Sequence, residues 1–247
     1  MDMRRRLIAG NWKMNGDRES LAELDGIAAA AKAAPDVDVV ICPPFTLIER
    51  AVARQPSLII GGQDCHSGVS GPYTGCTSAG MLKEAGATLA IVGHSERRAA
   101  QHETDGQVKG KAEATIAAGL VAVVCVGESG AEHEAGKAAE RVETQLRGSL
   151  PVAGGDALVV AYEPVWAVGT GRTPSMKDIG AMHGLIRGVL RELLGADRAE
   201  AIRILYGGSI TAANIAAVLE VPNVDGVLVG GASLTAAAFA PIIEAAA

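Results

Sequence analysis

The chain has 247 residues, of which 49% are hydrophobic and 3% aromatic, and its formal net charge is −6. This length and composition exclude a disulfide-stapled miniprotein and an intrinsically disordered chain, because the apolar content supports a full core and the net charge is modest. A mildly acidic chain has no general attraction for nucleic acids or anionic membranes. We therefore expect no nucleic-acid partner.

The N-terminal stretch Met1–Gly10 has the basic residues of a signal peptide, but its apolar run stops at Asn11, short of the roughly 7–15 residues that a signal needs. No apolar run approaches the ~20 residues of a membrane span. The cysteines form no Cys-x-x-Cys pair and have no nearby histidine at metal-ligand spacing. We expect a cytoplasmic protein with reduced thiols, no metal site and no membrane partner.

Short apolar segments alternate along the chain with longer, charged segments rich in Ala and Leu. Each short segment is apolar on both faces, as strands buried on both sides of a parallel sheet are. The predicted strands are Leu7–Asn11, Val37–Cys42, Leu58–Gln63, Leu89–Gly93, Val121–Gly127, Leu158–Glu163, Ile202–Gly207 and Gly226–Gly230. The predicted helices include Arg18–Ala34, Thr104–Gly119, Glu132–Leu146, Lys177–Leu194 and Ala212–Leu219.

Residues typical of helix ends flank several of these segments. Ser209 or Thr211 is the expected N-cap of the helix after the seventh strand, because their hydroxyls accept hydrogen bonds from free N–H groups. Gly119 and Gly195 follow helical patterns and are expected to end them, since glycine tolerates the left-handed conformation found there.

Eight strand–helix repeats in 247 residues amount to about 31 residues per repeat, which is typical of an eight-stranded α/β barrel. The alternative is a doubly wound open sheet, which more often has fewer strands and a glycine-rich first turn. Here the first strand runs into Asn11-Trp12-Lys13 instead. We expect residues 1–247 to form a single α/β domain, a (βα)8 TIM barrel of eight parallel strands with outer helices.

Polar residues and glycine pairs follow the predicted strand ends. In a barrel all these loops share the C-terminal face, where active sites are built. The residues concerned are Asn11 and Lys13 after the first strand, His94 and Glu96 after the fourth, Glu163 after the sixth, Gly207-Gly208-Ser209 after the seventh and Gly230-Gly231 after the eighth.

Glu163 and His94 are candidates for acid–base chemistry. Pro164 favours extended geometry at Glu163, which directs the carboxylate to the barrel mouth, where a raised pKa would suit a general base. The alternative is a salt-bridged glutamate at a strand end. His94 precedes a helical turn that begins at Ser95, so the helix dipole disfavours its cation and a neutral ring can donate to a carbonyl. The alternative is a structural histidine, the interpretation that we give to the other four.

Lys13 and the glycine pairs are candidates for binding an anion. Lys13 can neutralise a phosphate or an oxyanion, or it can be a solvated surface charge. Glu96 is either its ion-pair partner or a second carboxylate. The glycine pairs let the backbone approach a ligand closely and predict a phosphate site after strands seven and eight; the alternative is a pair of tight turns. The apolar segment Pro164–Gly171 is a candidate lid or a rigid loop on the barrel rim.

Five segments together closely resemble the triosephosphate isomerase family, and the likeness runs from about Arg6 to the C-terminus. The resemblance implies cofactor-free interconversion of dihydroxyacetone phosphate and D-glyceraldehyde 3-phosphate through an enediol(ate). The segments are Gly10–Asn15, Gly93–Arg98, Ala161–Gly171, Tyr206–Ser209 and Gly230–Ser233.

The same resemblance implies a role for each candidate residue. Glu163 would move the proton between the two carbons, and His94 would polarise the carbonyl and shuttle its proton. Lys13 and Asn11 would stabilise the oxyanion, with Glu96 supporting Lys13. The substrate phosphate would be held by backbone N–H groups of Gly169, Ser209, Gly230 and Gly231.

The loop after the third predicted strand resembles the family's dimer loop, which implies a homodimer. Thr74 would contact the Asn11–Lys13 region of a second copy. Cys76 stands where the family usually has a glutamate that pairs with an arginine at the position of Arg97, so we expect one intersubunit ion pair to be weakened or rearranged. Two other functions stay open: another phosphate-binding barrel isomerase or epimerase, and a non-catalytic protein that binds a sugar phosphate.

Overall fold

Eight parallel strands pair in chain order, and the last pairs with the first to close a barrel. The computed structural model describes residues 4–152, 157–167 and 173–247. This topology confirms the predicted (βα)8 barrel and excludes the open sheet. The strands are β1 Arg6–Asn11, β2 Val37–Cys42, β3 Ile59–Gly62, β4 Leu89–Val92, β5 Val121–Val126, β6 Leu158–Tyr162, β7 Arg203–Tyr206 and β8 Gly226–Val229.

Helices follow the strands and surround the barrel. The helices are α1 Glu23–Ala33, α2 Ile48–Arg54, α3 Ala79–Glu84, α4 Ser95–Ala100, α5 Asp105–Ala117, α6 Gly130–Glu134, α7 Ala138–Ser149, α8 Met176–Leu194, α9 Ala196–Ala201, α10 Ile215–Leu219 and α11 Ala236–Glu244. Short 3-10 turns lie at Ser20–Ala22, Phe45–Leu47 and Gly231–Ser233.

The apolar core has two layers, which explains why the strands are apolar on both faces. Alternate side chains of each strand point to opposite sides of the sheet. On β1, Leu7 and Ala9 pack inside the barrel, while Ile8 packs outward in the larger layer shared with the helices. The interior of the barrel is aliphatic, with Cys42 and Cys125 as small core residues. Both layers are therefore buried. The polar residues within the strands lie near the strand ends.

The predicted helix Glu132–Leu146 is wrong, because the segment forms two helices. Gly136 has a φ of +68°, a left-handed conformation that ends α6, and α7 begins after it. Gly119 and Gly195 also have positive φ beside helix ends, at +79° and +84°, as predicted. The helical periodicity of the segment was real, but a glycine that fits the left-handed region interrupts it.

The expected N-cap after β7 is also wrong. Helix α10 begins at Ile215, and its N-cap Asn214 makes no side-chain capping bond. Instead Asn214 Oδ1 accepts the Thr211 N–H at 2.8 Å, and Asn214 Nδ2 donates to the Ser209 carbonyl at 3.0 Å. The amide of Asn214 thus organises the turn itself, and the predicted hydroxyl caps are not used.

Among residues 4–152, 157–167 and 173–247, no helix is long and apolar enough to cross a lipid bilayer. No group of three or more His, Cys, Asp or Glu side chains within those ranges is arranged to hold a metal ion.

Candidate active site

The loops at the C-terminal ends of the strands enclose a cavity of about 150 Å³. The structure brings the predicted residues of five different loops together there, as the periodicity of the chain required. The lining residues are Asn11, Lys13, His94, Glu163, Gly207, Gly208, Ser209, Ile210, Leu228, Val229, Gly230, Gly231 and Ala232.

Glu163 lies directly after β6 and is almost completely buried, with 2% of its surface exposed. Its backbone N–H continues the sheet by donating to the Val126 carbonyl at 2.8 Å. One carboxylate oxygen, Oε1, lies 2.8 Å from His94 Nε2, and Oε2 accepts the Ser95 N–H at 3.0 Å. The strand end thus holds the carboxylate against the loop after β4.

His94 is the N-cap residue of α4, as the helical turn at Ser95 predicted. Its Nδ1 accepts the Glu96 N–H at 3.3 Å, so Nδ1 carries no proton and Nε2 carries the ring's single hydrogen. Burial lowers the pKa of His94, but the Glu163 carboxylate outweighs burial and holds the pKa above its usual value, opposite to the direction expected from the sequence. The hydrogen bond at Nδ1 fits only the neutral ring, which can donate from Nε2 to an oxygen.

The pKa of Glu163 differs from the sequence expectation. Burial alone raises it, but the ring of His94, the Ser95 N–H and the charge of Lys13 outweigh burial and hold the pKa below its usual value. Burial of a strand-end carboxylate follows from the sequence, but its hydrogen-bond donors come from another loop. In this arrangement Glu163 is an ionised carboxylate that faces His94.

Lys13 has a left-handed backbone conformation, with a φ of +54°. The Asn11 side chain stabilises this conformation, because its Oδ1 accepts the Lys13 N–H at 3.0 Å, and Gln63 Nε2 donates to the Lys13 carbonyl at 2.8 Å. Lys13 Nζ lies 2.5 Å from Glu96 Oε1, so Glu96 is its ion-pair partner in this state. A strained backbone held by two amide side chains is typical of a functional site. Gln63 was not predicted as a site residue.

The two glycine turns, Gly207-Gly208-Ser209 and Gly230-Gly231, also line the cavity. Gly230 precedes the 3-10 turn Gly231–Ser233, and a Cβ built on Gly230 would lie 3.4 Å from Lys13 Cε. The turn after β8 and the ammonium-bearing side chain of Lys13 are therefore neighbours. Ser209 also lines the cavity. Gly169 lies outside the described residues.

Gly127 and Gly207 leave room for Glu163, a role that the sequence did not predict for either glycine. A Cβ on Gly127 would lie 1.8 Å from the Glu163 carbonyl oxygen, and one on Gly207 would lie 2.9 Å from Glu163 Cγ. The ends of β5 and β7 can approach Glu163 this closely only without side chains. The sequence does contain a signal for this role, because each of the two glycines directly follows an apolar strand.

Glu128 is a further residue that the sequence did not predict as part of the site, although it also follows a strand end. Its side chain is 1% exposed. Its carbonyl accepts the Val165 N–H at 3.1 Å, while its Oε1 accepts Trp166 Nε1–H at 2.7 Å and Tyr162 O–H at 3.2 Å. Glu128 therefore fixes the beginning of the candidate lid, Pro164–Ala167. The remainder of that lid, residues 168–171, lies outside the described residues.

The candidate dimer loop runs between β3 and α3, and its residues Thr74 and Cys76 are exposed on the single chain. Arg97 pairs within the chain, with Asp64 at 2.8 Å and with Glu103 at 2.7 Å. Two carboxylates of the same subunit thus compensate the Arg97 charge.

A sequence profile of the triosephosphate isomerase family matches residues 6–246. The chain belongs to the triosephosphate isomerase family. It is 53% identical over 246 residues to the triosephosphate isomerase of Ruegeria pomeroyi, covering 98% of each chain. It is 55% identical over 247 residues to that of Afipia carboxidovorans, covering 98% of this chain and 97% of the relative.

A crystal structure of triosephosphate isomerase from Bartonella henselae has the same architecture, with a TM-score of 0.90, 43% identity and coverage of 98% of both chains. Membership of the triosephosphate isomerase family confirms the predicted function class, an isomerase. It decides against an unrelated phosphate-binding barrel and against a non-catalytic binding protein.

Proposed function

We propose that the cavity catalyses the interconversion of dihydroxyacetone phosphate and D-glyceraldehyde 3-phosphate with Glu163 as base and His94 as electrophile. The observation that carries the assignment of roles is the pair itself: a buried carboxylate 2.8 Å from Nε2 of a histidine whose Nδ1 accepts a backbone N–H. One group of this pair takes a proton from carbon, and the other donates a hydrogen bond to oxygen.

Glu163 removes the proton from the carbon next to the carbonyl and returns it to the neighbouring carbon. To reach substrate, its carboxylate exchanges the Ser95 N–H and the His94 ring for the apolar C–H group of the substrate. The donors that lower its pKa are lost in that movement, while burial, which raises the pKa, remains. The base therefore becomes stronger when it faces the carbon that it deprotonates.

His94, Lys13 and Asn11 act on the substrate oxygens. Neutral His94 donates from Nε2 to the carbonyl oxygen, and the enediol(ate) that forms exchanges its proton through the same ring. Lys13 supplies a positive charge beside the developing oxyanion, which stabilises the transition state more than the neutral ground state. Asn11 holds Lys13 in its left-handed conformation and lines the same cavity.

The substrate phosphate binds, in this proposal, to backbone N–H groups of Ser209, Gly230 and Gly231, and of Gly169 from the lid. The support is the pair of glycine turns that line the cavity and the position of Lys13 beside Gly230. This reaction moves protons between groups that the chain and the substrate supply, so the proposal involves no cofactor.

The remaining predictions from the sequence belong to this proposal as well. Residues 1–247 form one domain, two copies of which assemble into a homodimer in the cytoplasm. Thr74 and Cys76 of each copy lie in the loop that contacts the other, and Glu96 supports Lys13 through the 2.5 Å ion pair.

A coupled isomerase assay on the purified protein and on Glu163→Gln tests the catalytic roles. Glutamine keeps the size of the side chain and removes its basicity, so we expect kcat to fall by at least about a hundredfold with KM changed much less. Full activity of Glu163→Gln would exclude Glu163 as the base. Absence of turnover of either triose phosphate by the unmodified protein would overturn the proposed reaction.

A further inference from the structure

His133, which the sequence analysis treated as a structural residue, stacks on Trp166 of the segment that follows Glu163. The two ring centroids are 4.2 Å apart and the ring planes differ by 27°. Trp166 donates from Nε1 to Glu128 Oε1, and His133 Nδ1 lies 3.9 Å from that same oxygen. His133, Trp166 and the buried Glu128 carboxylate therefore lie together. Trp166 follows Glu163, the proposed base, by three residues in the sequence.

The segment Pro164–Ala167 is docked at this point through several contacts with the end of β5. Glu128 holds the Val165 N–H with its carbonyl and the Trp166 indole with its carboxylate. The second carboxylate oxygen of Glu128, Oε2, is buried and accepts no hydrogen bond within the described residues. A buried carboxylate with one unused oxygen is poised to gain from a nearby positive charge.

Other ionisable groups lie on the elements around His133 and Glu128. Glu132, on the same helix as His133, accepts the Ser129 N–H at 2.7 Å and faces Arg141 of α7 at 3.4 Å. Tyr162 donates from its hydroxyl to Glu128 Oε1 at 3.2 Å. Glu134 is the remaining carboxylate residue of α6. Glu128 is thus the carboxylate that faces His133, and Trp166 is the aromatic face that covers it.

We propose that His133 is a positioning residue whose protonation strengthens the docking of Pro164–Ala167 and so slows the departure of Glu163 from its resting contacts. Histidine is the side chain that changes charge between roughly pH 5 and 8. An imidazolium on Trp166 adds a cation–π interaction and an attraction to Glu128, both absent from the neutral ring. The side chain of His133 is 45% exposed and is therefore in contact with solvent.

This inference rests on the proposed function, since it assumes that Glu163 must move to act. We expect the ratio of kcat for His133→Asn to kcat for the unmodified protein to rise about two- to fivefold from about pH 8 to about pH 5.5. Substrate ionisation and the titration of Glu163 cancel in that ratio. His102→Asn is the matched control, because His102 is exposed and its φ of +53° is one that asparagine tolerates.

Tryptophan fluorescence without substrate separates this proposal from the catalytic roles. The chain has two tryptophans, and the other, Trp12, is buried with its indole donating to the Ser233 carbonyl at 2.9 Å. We expect emission to change with pH in the unmodified protein and in His102→Asn, but not in His133→Asn or Trp166→Phe. A pH-dependent emission that persists in His133→Asn, or a kcat ratio that stays constant with pH, would overturn the proposal.

Discussion

Glu163, the proposed base, is placed by glycines at the ends of the neighbouring strands as much as by its own hydrogen bonds. β6 delivers the carboxylate to the barrel mouth, and the ends of β5 and β7 close around it at Gly127 and Gly207. A methyl group at either position would displace the base. The catalytic geometry therefore depends on residues that carry no chemistry.

Gly207→Ala tests this dependence. The added Cβ would lie 2.9 Å from Glu163 Cγ and 3.1 Å from the Tyr162 carbonyl oxygen. The Glu163 side chain must therefore shift. A misplacement near 1 Å costs roughly a hundredfold in rate, and we expect kcat to fall by about ten- to a hundredfold while the chain still folds. The measurement is kcat beside a circular dichroism melt.

The control is Gly184→Ala, on the exposed face of α8, where a Cβ meets nothing within 4 Å. Alanine there favours the helix by about 0.5–1 kcal/mol and should leave kcat unchanged. If Gly207→Ala also retained the kcat of the unmodified protein, the close approach of Gly207 would have no catalytic role.

At the scale of single elements, α8 carries a buried histidine that is held in its neutral form. His183 shares a hydrogen bond of 2.9 Å between Nδ1 and the Asn223 carbonyl, and its ring meets Tyr162 edge-on with centroids 5.9 Å apart. Burial lowers the pKa of His183 to about 4, although the bond to Asn223 opposes this shift. The folded chain therefore binds a proton at His183 less readily than the unfolded chain does.

Acid should destabilise the protein through His183. Stability from a lowered histidine pKa is complete above the unfolded value near 6.5 and is lost as the pH falls toward about 4. The difference between the two values corresponds to about 3 kcal/mol of unfolding free energy. We expect His183→Gln, which retains a donor for the Asn223 carbonyl, to lose that much less stability than the unmodified protein between pH 7 and 4.

Urea unfolding at several pH values measures this difference. His102→Asn again serves as the control, because His102 is exposed and should leave the pH dependence of unfolding intact. Parallel curves of stability against pH for His183→Gln and the unmodified protein would contradict the assignment.

Strand and helix positions followed closely from the sequence, because burial on both faces leaves a plain apolar pattern. The predicted strands Val37–Cys42 and Leu158–Glu163 agree with β2 and β6 to within one residue. The break at Gly136 was missed, since helical periodicity continues across it and only the backbone reveals the positive φ. Local sequence patterns do not predict contacts between loops that are far apart in the chain. Glu128 contacts Trp166 and Gln63 contacts Lys13 in this way.

At the scale of the whole molecule, one barrel face carries exposed apolar side chains that a single subunit leaves unburied. They lie on the segments that follow β1, β2 and β3, with Met81 on α3, and those strands are neighbours in the barrel. Exposed apolar patches on loops of this kind mark protein–protein interfaces. The residues are Met14, Phe45, Val69, Tyr73 and Met81.

Tyr73 is the residue on which the predicted homodimer can be tested. It lies in the candidate dimer loop beside Thr74, its ring packs against His66 with centroids 4.0 Å apart and planes tilted by 33°, and 48% of its surface is exposed in the single chain. An aromatic ring held in place and left half open is typical of an interface anchor. Arginine at this position would bring a charge into the apolar contact.

We expect Tyr73→Arg to weaken the dimer at least tenfold, because burying an unpaired charge is unfavourable by more than about 1.4 kcal/mol. Molecular mass measured against dilution reports the change, and kcat should fall with the dimer fraction, since in the proposed dimer Thr74 of the second copy contacts the Asn11–Lys13 region. Val152→Arg is the matched control: Val152 is 57% exposed and lies between α7 and β6, away from these loops. If Tyr73→Arg stays dimeric at every dilution at which the unmodified protein is dimeric, Tyr73 is not part of the interface. An unmodified protein that is monomeric and fully active at micromolar concentration would refute the dimer itself.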